Sequence, residues 1–102
     1  MADAFSAASG VGDLGTVGAT GYDKDHSEHY ADITDENGVK YRYTFDKDGN
    51  VKKKNKWVNG AWDWKNAEDV SNSGLKYSDF ETTKRLDAAA ANSFGTATTA
   101  AD

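Results

Sequence analysis

The stretch YRYTFDKDGNVKKKNKW, residues 41–57, decides how this chain folds. Its first half alternates aromatic and polar side chains, the period-two pattern of a half-buried strand. Its second half carries lysine at 52, 53, 54 and 56, and a cluster of turn-forming residues lies between the halves. The two halves therefore read as an antiparallel hairpin. Register is the open question, because a slip of one residue turns every side chain to the other face. A two-residue Asp48-Gly49 turn sets Phe45, Tyr43 and Tyr41 opposite Lys52, Lys54 and Lys56. A three-residue Lys47-Asp48-Gly49 loop, with Gly49 left-handed, sets Phe45 opposite Val51 and Val39 opposite Trp57. Thr44, Arg42 and Lys40 then oppose Lys52, Lys54 and Lys56. The second register separates rings from cations and is the one expected.

The same reasoning extends to both sides. Glycines at 38, 49 and 60 each follow Asn or Asp at a spacing of eleven. That spacing reads as an antiparallel meander, with too few units for a solenoid. A Glu36-Asn37-Gly38 loop pairs Ile33 with Tyr41, Ala31 with Tyr43 and Asp32 with Arg42. A two-residue Asn59-Gly60 turn pairs Trp57 with Trp62, Lys56 with Asp63 and Asn55 with Trp64. One face then gathers Ile33, Val39, Tyr41, Tyr43, Phe45 and Val51 with Trp57, Trp62 and Trp64. The other gathers Lys40, Arg42, Lys52, Lys54 and Lys56, relieved by Asp32 and Asp63.

Further out, Ser78-Asp79-Phe80-Glu81 fits a capping box, and good helix formers follow up to Gly95. A helix is expected near 79–92, behind a thin stripe of Phe80, Thr83, Leu86 and Ala90. Leu75 and Tyr77 alternate, which predicts a short fifth strand over 74–78. Residues 1–22 and 93–102 are rich in Gly, Ala, Ser and Thr and read as low-complexity arms. The expected fold is mainly β: a small antiparallel meander of four to five strands, one C-terminal helix and extended termini. The domain itself is placed at 23–92.

Composition narrows the function. The chain has 102 residues, 37% hydrophobic and 12% aromatic, enough for one domain with a small core. A net charge of −5 disfavours nonspecific nucleic-acid binding by the whole molecule. Cysteine is absent, which removes disulfides, thiolate metal sites and a cysteine nucleophile. No apolar run approaches a membrane span. "DKDGN" lacks the glycine and glutamate positions of a calcium loop. His26 and His29, among Asp23, Asp25 and Glu28, are the candidate metal ligands, without a third histidine to complete a common zinc set. The expectation is no metal and no cofactor. Ser27 with His29 lacks an orienting third group, and "GVGDLG" lacks a phosphate-binding lysine, so no enzyme is expected.

The five cations remain the feature to explain. An antiparallel sheet commonly keeps one side wet. Like charges directly opposite each other destabilise it, however, and Lys40–Lys56 and Arg42–Lys54 are such pairs in this register. An anionic partner on that face offsets the repulsion. The function expected is therefore a non-catalytic subunit of a larger protein complex, bound through Lys40, Arg42, Lys52, Lys54 and Lys56 and through its arms, and at most peripheral to a membrane. The alternative is a carbohydrate-binding module of a phage or secreted protein, which stacks sugars on Trp62 and Trp64; Trp57 is assigned to the core. The residues Ala2-Asp3-Ala4-Phe5 resemble the Ala-x-Ala-Phe signature at the cleavage point of plastid-targeting presequences in diatoms and related algae. That resemblance implies a nucleus-encoded plastid protein trimmed near Phe5, similar in build to accessory subunits of photosystem I–antenna supercomplexes at the thylakoid.

Overall fold

A computed structural model describes residues 10–88. Ala2–Phe5, the end of the expected helix and the 93–102 tail lie outside the described residues. The described chain forms one antiparallel sheet in meander order. The strands are β1 (Thr16–Asp23), β2 (Glu28–Thr34), β3 (Lys40–Phe45), β4 (Val51–Val58), β5 (Ala61–Trp62) and β6 (Glu68–Asp69). β5 and β6 both pair with β4, and the 3-10 turn Trp64–Asn66 separates them along that edge. A helix, α1, runs over residues 77–88.

The turns form for local reasons. Asp35 Oδ1 accepts the backbone N–H groups of Asn37 and Val39, each at 2.9 Å. Asp46 Oδ1 does the same for Asp48 and Asn50, again at 2.9 Å. In both loops the fourth residue is a left-handed glycine, Gly38 at φ 82° and Gly49 at φ 85°. These are one aspartate-headed loop used twice, which accounts for the spacing between Gly38 and Gly49 but not for Gly60. Asn59 (φ 52°) and Gly60 (φ 84°) make the tight turn expected of Asn-Gly.

The core lies on one face of the sheet. Ala31, Ile33, Tyr43, Phe45 and Val51 are buried there, together with Val11, Val17 and Phe80. Phe80 of α1 meets Phe45 edge-on at 5.1 Å between ring centroids and Tyr43 at 5.2 Å. Tyr77 adds an edge contact to Phe45 at 5.4 Å. A small sheet needs such a cover, and aromatic rings supply much buried area per residue.

Several expectations are corrected. The arm placed at 1–22 overlaps β1, and Val11 and Val17 belong to the core. The low-complexity composition there reflects close packing: Gly21 sits opposite Tyr30, whose ring folds down over it. The strand expected over 74–78 is a single bridge, Asn50 with Lys76, because α1 already begins at residue 77. The cap is shifted accordingly. Asp79 Oδ2 accepts the Lys76 N–H at 3.2 Å, so Asp79 fills the reach-back role assigned to Glu81.

Candidate docking face

Register at β3–β4 decides what the far face of the sheet carries. Phe45 pairs with Val51 as expected. A β-bulge follows at once, and Thr44 then pairs with Lys53, Tyr43 with Lys54, Arg42 with Asn55 and Tyr41 with Lys56. The expected separation of rings from cations therefore fails. Lys54 and Lys56 share the face of Tyr41 and Tyr43, with Lys54 Nζ 4.4 Å from the Tyr41 ring centre and 5.8 Å from that of Tyr43. Only Lys40 and Arg42 stay together, while Lys52, at the bulge, turns toward Glu28. The physical reason lies in the repulsion itself. The bulge replaces the Arg42–Lys54 and Lys40–Lys56 oppositions with cation–π pairs, each favourable by about 0.5–1 kcal/mol at exposed sites.

The same slip moves the tryptophans. Trp57 pairs with Trp62 as expected, but both lie beside Lys40 and Arg42. Trp57 is 41% exposed, so it is not core. Its ring meets that of Trp62 at 4.8 Å and 75°. Lys40 Nζ stands 5.5 Å from both ring centres. The expected Asn55–Trp64 pair does not form, because the chain leaves β5 after Trp62 and enters the 3-10 turn. Trp64, 54% exposed, instead walls a cleft with Thr44, Lys52 and Lys53. Trp62 and Trp64 thus occupy different surroundings on this side of the sheet.

Arg42 is the centre of the face. Its guanidinium lies 4.2 Å from the Tyr30 ring centre and 4.7 Å from that of Trp62. It grips Asp32 in a fork, Nε to Oδ1 at 2.7 Å and Nη2 to Oδ2 at 3.0 Å. The Asp32 bond is the main cause that holds the Arg42 pKa above its ordinary value, against burial, which lowers it. Beneath this canopy lie Asp32, Thr44 and Asn55, the buried polar residues of the described chain. Asn55 Nδ2 donates to the Arg42 carbonyl at 3.4 Å, and its Oδ1 has no partner among the described residues.

The two histidines are not brought together. His26 is an exposed turn residue whose Nδ1 lies 2.8 Å from Asp23 Oδ2. His29 stacks on Tyr77 at 4.5 Å on the core side. Among the described residues no group of three or more His, Cys, Asp or Glu side chains is placed to hold a metal. No described helix is long and apolar enough to cross a membrane. Tyr30, Asn55 and Lys53 are absent from the expected site. Four cationic positions within 52–56 were a legible sign of strain in an unbulged ladder, and that sign pointed to the bulge. No family model, curated protein or solved structure matches the chain.

Proposed function

We propose that this chain is a non-catalytic accessory subunit that docks on a larger protein assembly through the sheet face of Tyr30, Lys40, Arg42, Trp57 and Trp62. The observation that carries this reading is the aromatic–cation array on the side of the sheet away from α1. Aromatic residues and arginine are the side chains that dominate protein interfaces, and here both are pre-positioned by ring stacking and a forked ion pair. Pre-positioning lowers the entropy lost on binding. Lys54 and Lys56 drop out of the docking set, and Lys40 and Arg42 remain. The assembly implied by the resemblance at residues 2–5 is a plastid photosystem I–antenna supercomplex, which makes it the first partner to test.

The test is a native pull-down from cells that contain the partner, with wild-type chain beside Lys40→Glu and Trp57→Ala/Trp62→Ala. Partners should co-elute with wild type, fall away in high salt and be lost by both variants. Retention of the same partners by both variants would show that this face is not the interface.

A further inference from the structure

A second feature on the same side of the sheet is a cleft of about 330 Å³, lined by Asp23, His26, Glu28, Thr44, Lys52, Lys53 and Trp64. The bulge creates it. In a regular strand Lys52 and Lys53 point to opposite faces, whereas here both line one cavity. The charges then sort themselves. Lys52 Nζ binds Glu28 at 2.6 Å, and His26 binds Asp23 at 2.8 Å. The Lys53 ammonium has no hydrogen bond or ion pair among the described residues. Its cross-strand partner Asp69 hydrogen-bonds instead to the Ser71 N–H at 2.9 Å and the Ser71 hydroxyl at 2.7 Å, and feels Lys53 only as a nearby charge. The Thr44 hydroxyl likewise makes no hydrogen bond to a described residue, although Thr44 is only 5% exposed. The remaining wall is the indole of Trp64.

We infer that this cleft binds a small, flat organic anion, with its ring against Trp64 and its acid group on Lys53 and Thr44. Glu28 engages Lys52 and Asp23 engages His26, which leaves the Lys53 ammonium as the lining cation without an ion pair among the described residues. The exposed indole offers a π face, which selects a planar ring over a puckered one. The volume lies at the low end of small-molecule sites, about 300–1,000 Å³, and suits one or two fused rings with a carboxylate.

The experiment uses the full chain, labelled with nitrogen-15, and three probes: 2-naphthoate, its neutral analogue 2-naphthamide, and the non-planar cyclohexanecarboxylate. Titration of 2-naphthoate to about 5 mM, a range that detects millimolar sites, should give saturable shifts. They should fall on the amides of Thr44, Lys52 and Lys53 and on the Trp64 indole N–H. The other two probes should bind at least severalfold more weakly. Lys53→Ala should weaken 2-naphthoate about fivefold, the scale of one exposed ion pair. Trp64→Ala should weaken it about tenfold, the scale of one ring stack. Lys84→Ala, on α1 and outside the cleft lining, should leave the affinity unchanged. Both key residues sit at the surface, and preserved spectral dispersion will show that the variants fold. Equal binding of the neutral or non-planar probe, wild-type affinity in Lys53→Ala and Trp64→Ala, or no saturable shift would each overturn the inference.

Discussion

Removal of Arg42 should cost far more than removal of its partner Asp32, although the two share one fork. The Asp32 side chain is 3% exposed and that of Arg42 24%. Arg42→Ala leaves a buried carboxylate without its cation, a loss of about 3–5 kcal/mol for a buried pair. Water can enter the space vacated by so long a side chain, which favours the lower end, about 3 kcal/mol. Asp32→Ala leaves a guanidinium that still stacks on Tyr30 and Trp62 and still reaches solvent. Its cost should be about 1–2 kcal/mol, the scale of a lost charged hydrogen bond. In the double variant no orphaned carboxylate exists, so the single effects should not add, with a coupling of about 1–2 kcal/mol. Urea unfolding provides the assay. With a slope of about 1–1.5 kcal/mol per molar for a domain of this size, Arg42→Ala should lower the midpoint by about 2–3 M and Asp32→Ala by about 1 M. Equal costs for the two single variants, or strict additivity in the double, would refute the account of Arg42 as the cation that makes a buried Asp32 tolerable.

Four further outcomes are expected. Phe80→Ala removes the ring that α1 inserts against Phe45 and Tyr43, and should cost about 3–5 kcal/mol in the same unfolding assay. Gly15 holds φ 143°, and a Cβ there would lie 2.2 Å from the Thr34 carbonyl oxygen, so Gly15→Ala should destabilise by about 2 kcal/mol or more. Burial pushes the Tyr43 phenol from 10.0 up to about 12. The folded protein therefore holds that proton longer than the unfolded chain, and stability should be level below about pH 10 and fall toward pH 12; Tyr43→Phe should flatten that fall. The bond to Asp23 raises the His26 pKa above 6.5 and, reciprocally, lowers that of Asp23 below 3.8. The histidine's contribution is complete below 6.5 and fades as pH rises through its folded pKa; the aspartate's is complete above 3.8 and fades as pH falls through its own. A proton NMR titration should show the His26 midpoint above the ordinary histidine value, and Asp23→Asn should bring it back.

The elements read correctly from sequence are those whose cause is local. The pairs Ile33–Tyr41, Ala31–Tyr43 and Asp32–Arg42 follow from the loop between β2 and β3, where an aspartate and a glycine set the count of unpaired residues. Trp57–Trp62 follows from Asn59-Gly60 in the same way. The elements misread depend on neighbours distant in sequence. β1 mixes strand formers with two glycines that weaken the signal, and its place comes from Tyr30 lying over Gly21 and from Val17 meeting Ile33 across the ladder. The docking face was half legible. Of the cations expected there, Lys40 and Arg42 share a face, whereas Lys54 and Lys56 lie on the other. Trp57 was assigned to the core because a large ring is good core material, but α1 supplies Phe80 to that role instead.

What the amino-acid order determined by itself is the set of turns and the antiparallel meander they impose, since each depends on the dihedral preferences of a few adjacent residues. What only the tertiary structure decided is the face on which each lysine and tryptophan of β4 and β5 lies. One extra residue in β4 reverses every side chain after it. Whether that residue bulges depends on charges and rings supplied by β2, β3 and β5, which no local stretch contains.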